Sequence, residues 1–118
     1  MIYNIDVEQV YSLPAAKAYY QVGAGYCAVG ALAKACLNYA NLEIEFSEDG
    51  IVHMSGKTKE FFCRLNALFT EQELEVITDL NDSTEGNLLK NRNLALAKLI
   101  SMAADKGLIN PLAVEVTN

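Results

Sequence analysis

The chain is short of several residue types that mark common protein classes. Its 118 residues include no Trp, two Pro and one His, and 15 Asp+Glu outnumber 9 Lys+Arg to give a formal net charge of −6. Nucleic-acid binders and binders of anionic membranes need a basic surface, so this charge argues against direct binding to either. Low-complexity runs and internal repeats are also missing, and a composition with 52% apolar residues excludes disordered and collagen-like chains.

No apolar stretch of the sequence is suited to crossing a membrane. The nearest candidate, residues 18–40, carries Lys34, Gln21, Asn38 and four Tyr. A helix of this kind is more simply buried at the centre of a helical domain. The first residues show no basic start followed by an apolar core and a small-residue cleavage site, so we expect a cytoplasmic protein.

Cysteine is scarce, and its three positions, Cys27, Cys36 and Cys63, match neither a zinc-binding spacing nor a Cys-x-x-Cys redox pair. All three stand among apolar residues, which is typical of buried thiols. The acidic residues do not follow the spacing of a calcium-binding loop. The sequence thus predicts neither a metal site nor a cofactor.

The apolar fraction of 52% predicts one globular domain over residues 1–118. Its patterns indicate an α+β fold that is mostly helical, with four or five helices and a small antiparallel β-sheet or hairpin. Residues 2–7 alternate weakly, as in a short edge strand, and Pro14 suits the first turn of a helix over residues 15–22. A glycine-rich break then leads to a second helix over residues 26–39.

The middle of the chain changes from a helical period to the alternation of a β-strand. Residues 42–46 alternate, residues 47–50 carry a turn signal and residues 51–54 return as a second strand, which together predict a β-hairpin. The tail, residues 112–116, has β propensity. We expect it to pair with residues 2–7 or with this hairpin.

Three helices are predicted in the C-terminal half. Their start signals are, in order, Ser55 or Gly56, the capping box Thr70-x-x-Glu73 and the similar pattern Asp82-x-x-Glu85. Gly107 is expected just after the C-cap of the third helix. The apolar residues that recur at helical spacing are expected in the core: Phe61, Phe62, Leu65, Leu68, Phe69, Leu74, Ile77, Leu80, Leu88, Leu89, Leu96, Leu99, Ile100 and Ala103.

Cys27 and His53 are the first candidates for catalytic chemistry. Cys27 falls in the first turn of a predicted helix, where the helix dipole lowers a thiol pKa, and His53 falls on a predicted strand. Asn81 or Asp82 would orient the imidazole if these residues formed a small thiol enzyme. The alternative is a core thiol and a hairpin histidine without a catalytic role.

Acidic residues gather in two places along the chain. One group lies on the second of the three predicted C-terminal helices and comprises Glu71, Glu73, Glu75 and Asp79. The other lies on the predicted hairpin and comprises Glu43, Glu45, Glu48 and Asp49. Such groups are either solvated faces or a docking surface for a basic protein partner.

Two motifs carry a resemblance to a family. Residues 26–32 read Tyr-Cys-Ala-Val-Gly-Ala-Leu, and residues 80–82 read Leu-Asn-Asp at the end of an amphipathic segment. In these motifs the chain resembles a family of small uncharacterised bacterial and phage proteins, which pair an aromatic-Cys-x-x-Gly-Ala-Leu helix with a later Asn-Asp motif and a C-terminal helix. The resemblance covers residues 26–32 and about 70–100, and it implies a shared fold core without a catalytic role.

The charge pattern favours a non-enzymatic acidic interaction protein, of the inhibitor, immunity or anti-defence type, that covers a basic surface of a protein partner. A small thiol enzyme using Cys27 and His53 is the second hypothesis. The third is a homodimeric structural protein, because the six Tyr concentrate in the N-terminal third, where they would form an interface.

Overall fold

Helices form most of the structure, a computed structural model that describes residues 2–17, 21–22, 25–39 and 56–112. In these residues the elements follow the order β1 (Tyr3–Asp6), α1 (Val7–Ser12), β2 (Gln21–Val22), β3 (Gly25–Tyr26), α2 (Ala28–Tyr39), α3 (Gly56–Leu68), α4 (Glu71–Asn81), α5 (Leu88–Asp105) and β4 (Ile109–Leu112). The prediction of a mostly helical α+β fold is confirmed. The predicted hairpin over residues 42–54 lies outside the described residues.

Helix α2 is the centre of the core. Most of its residues are buried, and many of them are small, including Ala31, Ala33 and Ala35. Small side chains let neighbouring elements approach closely, and α2 contacts α1, α3, α5 and β1. The predicted central helix is therefore confirmed, although it begins at Ala28 because Tyr26 belongs to the short antiparallel pair of β2 and β3.

Strands β1 and β4 join the two ends of the described chain in a parallel pair. Tyr3 lies opposite Ile109 and Ile5 opposite Pro111, and Tyr3 and Ile5 face the core. The prediction of a small antiparallel sheet is wrong here, because the helices between the two strands return the chain in the direction in which β1 runs. The C-terminal pairing partner begins at Ile109, ahead of the predicted tail 112–116.

The segment after β1 differs from the prediction. The helix predicted over residues 15–22 is wrong, and α1 forms earlier, where the Asp6 carboxylate accepts hydrogen bonds from the backbone N–H groups of Glu8 and Gln9 at 3.1 and 3.4 Å. Beyond α1 the backbone is extended and pairs with β3. A Cβ atom on Gly25 would lie 2.5 Å from the carbonyl oxygen of Ala15, so this close approach requires glycine.

Helices α4 and α5 begin at different kinds of cap. The capping box of Thr70 and Glu73 is confirmed, with the two reciprocal hydrogen bonds at 2.9 and 3.1 Å. The second predicted box is wrong: Asp82 ends α4, and the Asn87 side chain caps α5 by accepting from the N–H of Lys90 at 2.8 Å. Gly107 has a φ of 78°, as expected of the residue after a C-cap.

Most of the predicted core positions of α3 to α5 are buried. They include Phe61, Phe62, Leu65, Phe69, Ile77, Leu96, Leu99, Ile100 and Ala103. Leu68, Leu80, Leu88 and Leu89 were expected beside them, but each leaves a third or more of its surface exposed. Because α5 begins at Leu88, its first turn precedes the buried part of the helix, which starts at residue 91.

Arg92 of α5 is buried completely and joins α5 to the N-terminal segment. Its guanidinium donates to the carbonyl oxygens of Pro14 and Tyr26 at 3.0 and 3.1 Å, and also to those of Leu13 and Tyr11. Burial lowers the pKa of Arg92. Salt bridges within the described chain do not include this residue, so backbone dipoles stabilise its charge.

Arg92→Met should destabilise the protein strongly, because several buried carbonyl groups would lose their donor. We expect the free energy of unfolding to fall by about 3 kcal/mol or more, measured by urea denaturation followed by circular dichroism. Lys98→Met, which removes an exposed cation from the same helix, should change it by about 0.5 kcal/mol or less. Equal effects of the two substitutions would contradict the structural role of Arg92.

Candidate functional site

A small cleft lies between the start of α2 and the last turn of α4. Its volume is about 160 Å³, and it is lined by Cys27, Ala28, Val29, Ile77, Thr78, Asn81 and Asp82. Cys27, Asn81 and Asp82, which the thiol-enzyme hypothesis singled out, are thus brought together. His53, its predicted base, lies outside the described residues. Sites for cofactors and drug-sized ligands measure about 300 Å³ or more, so this cleft suits a smaller group.

Asn81 is a buried connector in the wall of this cleft. Its Oδ1 accepts from the backbone N–H of Ala28 at 2.8 Å, which satisfies an N–H group at the start of α2. Its Nδ2 donates to the Ala16 carbonyl oxygen at 2.9 Å and to an Asp82 carboxylate oxygen at 3.0 Å. The amide therefore links three segments of the fold, which gives Asn81 a structural reason to be present.

Cys27 occupies the position just before α2 and is half-buried. Its Sγ accepts a hydrogen bond from the backbone N–H of Gly30 at 3.4 Å, as an N-capping oxygen does. Burial raises the pKa of Cys27 and the charge of Asp82 raises it further, whereas backbone N–H groups and the charge of Arg92 lower it. The net effect is a raised pKa, so the thiol is protonated at neutral pH and is a poor nucleophile.

The other two cysteines lie in contrasting environments. Cys36 is buried in α2, where burial strongly raises its thiol pKa, and the prediction of a buried thiol is confirmed. Cys63 is exposed on α3, so the same prediction is wrong there. Within the described ranges no group of three or more His, Cys, Asp and Glu residues is arranged to hold a metal ion.

The three thiols should react with iodoacetamide at different rates at pH 7.5. We expect Cys63 to be alkylated about tenfold faster than Cys27 and Cys36 to react last, because burial suppresses the thiolate at the latter two. Peptide mass spectrometry of a time course measures these rates, and alkylation in urea provides the control in which all three react alike. Faster alkylation at Cys27 than at Cys63 would instead support the thiol-enzyme hypothesis.

Helix α4 carries a row of exposed carboxylates, Glu71, Glu75 and Asp79, which we call the acidic ridge. Residues four apart lie on one side of a helix, with a spacing of about 6 Å along its axis. In the described part of the chain, neither salt bridge involves these three side chains. The predicted acidic residues of the hairpin, Glu43, Glu45, Glu48 and Asp49, lie outside the described residues.

Glu73 was grouped with these carboxylates in the sequence, but its contacts are internal. One carboxylate oxygen accepts from the N–H of Thr70, and the other lies 3.0 Å from Nζ of Lys106. The Thr70 hydrogen bond, followed by Lys106, lowers the pKa of Glu73. This carboxylate therefore helps to hold the start of α4 against the end of α5.

Glu73→Gln should lower the melting temperature at pH 7 by removing the ion pair with Lys106 while keeping a side chain suited to the capping box. Because the Glu73 pKa is lowered in the folded state, its stabilisation is full above the unfolded pKa and is lost as the pH falls through the folded pKa. The difference from the wild type should thus shrink below pH of about 4. Melting curves at pH 7 and 3 measure it, and Glu75→Gln, on the acidic ridge, should not lower the melting temperature at pH 7, because neither salt bridge of the described residues includes Glu75.

The tyrosines of the described residues differ in exposure, and Tyr19 and Tyr20 lie outside those residues. Tyr3 and Tyr26 are buried, Tyr11 is half-buried and Tyr39 is exposed. The homodimer therefore stays a prediction, with fewer of these side chains available to an interface. Among the helices described, none has both the length and the apolar character needed to cross a membrane.

Comparisons with protein-family models, with curated proteins and with solved structures found no match to this chain. The family resemblance of the two motifs accordingly stays a prediction. Sequence reasoning also missed Arg92 and Thr78, the latter because nothing in the sequence relates it to the start of α2. Arg92 had a signal, since it falls on the helical stripe that continues through Leu96, Leu99 and Ala103.

Proposed function

We propose that this protein is a non-enzymatic acidic interaction protein, of the inhibitor, immunity or anti-defence type, whose acidic ridge docks on a basic surface of a protein partner. The observation that carries the proposal is the alignment of Glu71, Glu75 and Asp79 on one exposed side of α4, with no salt bridge to a cation in the described chain. A partner with Lys or Arg at matching positions complements this row.

The energetics of the isolated helix support the same conclusion. Like charges four residues apart destabilise a helix by about 0.2–0.5 kcal/mol per pair, and the ridge contains two such pairs. Elsewhere on the same helix, Glu73 has Lys106 as an internal cation. Bound cations from a partner would relieve the repulsion along the ridge, so docking gains from this charge pattern.

Two apolar side chains beside the ridge favour a protein partner over a simple polycation. Val76 and Leu80 lie one turn apart on α4, and they are 46% and 36% exposed, respectively. Each directly follows a ridge residue in the sequence, so on the helix surface the apolar pair runs alongside the carboxylates. Protein interfaces combine such apolar contact area with charged surroundings. The surface therefore suits a partner that presents both cations and apolar groups.

A triple substitution tests the proposal, with a 15-residue peptide that carries Lys at positions i, i+4 and i+8 as the probe. Glu71→Gln, Glu75→Gln and Asp79→Asn together should weaken peptide binding about tenfold or more at low salt, as measured by fluorescence anisotropy. The matched control replaces three exposed acids elsewhere: Glu8→Gln, Glu85→Gln and Asp105→Asn. It changes the net charge equally and should weaken binding far less.

Three outcomes would contradict the proposal. The first is equal weakening by both triple variants, which would indicate a response to net charge alone. The second is an affinity that does not change between 50 and 300 mM salt, and the third is no binding of the peptide by the wild type. Replacing Val76 and Leu80 with Ser should reduce the affinity further if the apolar pair takes part in docking.

A further inference from the structure

Exposed apolar side chains concentrate on helices α4 and α5, which pack against each other. In the described part of the chain, five of the eight exposed large apolar side chains lie on these two helices: Val76, Leu80, Leu88, Leu89 and Leu94. Exposed apolar residues that are scattered singly are ordinary, so the charges around such a group decide what it binds. The charges on α5 are therefore the next feature to compare with the acidic ridge.

Helix α5 presents two cations on either side of an exposed leucine. Lys90, Leu94 and Lys98 are all exposed and follow one another at intervals of four residues, so they lie along one side of α5, and we call them the basic row. Arg92 and Leu96, two residues before and after Leu94, are buried. Residues two apart on a helix lie on nearly opposite sides, so the basic row faces away from the core.

The basic row matches the acidic ridge in its spacing. Both carry their outer charges eight residues apart, which is about 12 Å along a helix. Each has an exposed apolar side chain near its midpoint, Leu94 in the basic row and Val76 beside the ridge. Both patterns keep this spacing when they are read in the opposite direction. Helices that pair in either direction therefore bring cations next to carboxylates and Leu94 close to Val76.

We infer that the acidic ridge of one copy docks on the basic row of a second copy of this chain. Neither salt bridge of the described residues joins the ridge to the row within one molecule, so the match is used between copies. In a two-fold dimer each copy supplies one ridge and one row, and the contact forms twice. This contact does not use the tyrosines of the homodimer hypothesis.

The inference rests on the proposed function, because it uses the same ridge and names a protein surface with cations around an apolar group. A separate basic partner then has to displace the second copy from the ridge. Self-association therefore regulates access to the docking surface.

The net charge of −6 makes this contact weak without preventing it. Two copies repel each other at long range, but at about 0.15 M salt the charges that lie more than about 8 Å apart are largely screened. The carboxylates and ammonium groups of a docked pair lie closer than this, so their attraction persists. We expect a dissociation constant on the order of 100 μM.

An exchange of charge between the two surfaces tests the contact. The ridge-swap variant carries Glu71→Lys and Asp79→Lys, and the row-swap variant carries Lys90→Glu and Lys98→Glu. In sedimentation equilibrium at about 0.15 M salt, the average mass of the wild type should rise above the monomer mass of 12.9 kDa as its concentration increases. Each swap variant places like charges opposite each other, so its association constant should fall about tenfold or more.

A 1:1 mixture of the two swap variants restores opposite charges at both contacts. It should associate to within about threefold of the wild type, although both variants keep a negative net charge and neither associates alone. This recovery depends on which residues face each other, because two chains of the same net sign gain nothing from their overall charge.

Control variants make the same changes of net charge at other exposed positions: Glu8→Lys with Glu85→Lys, and Lys17→Glu with Lys59→Glu. They should change the association constant by about twofold or less. Leu94→Ser should weaken association about threefold or more. Leu89→Ser should not, because Leu89 is 51% exposed but lies about 140° from Leu94 around α5. Melting temperatures identify any variant that has lost its fold.

The outcomes separate the two proposals. A wild type that keeps the monomer mass at every concentration, or a mixture of swap variants that associates no better than either alone, would overturn the second-copy contact. Equal weakening by the swap and control variants would do the same. If the wild type stays monomeric while the Lys peptide binds the ridge, the proposed function stands and this inference fails. If the mixture recovers association while the peptide binds the triple ridge variant as tightly as the wild type, the second-copy contact stands and docking of a separate basic partner fails.

Discussion

The buried charge of Arg92 is the constraint on which the N-terminal half of the structure depends. Its guanidinium needs several acceptors, and the fold supplies the carbonyl oxygens of Tyr11, Leu13, Pro14 and Tyr26. Those carbonyls are available because the backbone there is extended or at the end of a helix, so the buried charge holds residues 11–14 beside Tyr26, just before α2. Asn81 of α4 has a similar role, because its side chain donates to the carbonyl oxygen of Ala16 and accepts from the N–H of Ala28, the first residue of α2.

Local signals predicted the elements whose causes are local. The apolar pattern of α2, the capping box at Thr70 and the glycine after α5 involve residues within a few turns of one another, and these predictions are confirmed. The helix predicted after Pro14 failed because that proline also fits an extended segment, and contacts with Arg92 and Tyr26 decide between the two. The pattern at Asp82 failed similarly, since Asn87 provides the cap that α5 uses.

The candidate site was predictable in its members but not in their roles. Cys27, Asn81 and Asp82 were considered as catalytic residues of a thiol enzyme, and they do line one cleft. Their hydrogen bonds, however, hold helix ends together. The acidic ridge follows from a spacing of four that is visible in the sequence. The ion pair of Glu73 with Lys106 is not visible in the sequence, because the two residues lie far apart along the chain.

The parallel pairing of β1 with β4 has a consequence for how the protein is made. Tyr3 and Ile5 leave the ribosome about 100 residues ahead of the strand that pairs with them, Ile109–Leu112. Until β4 emerges, β1 therefore lacks its strand partner. The pairing of β1 with β4 closes a loop of about 100 residues, and contacts of such separation slow folding.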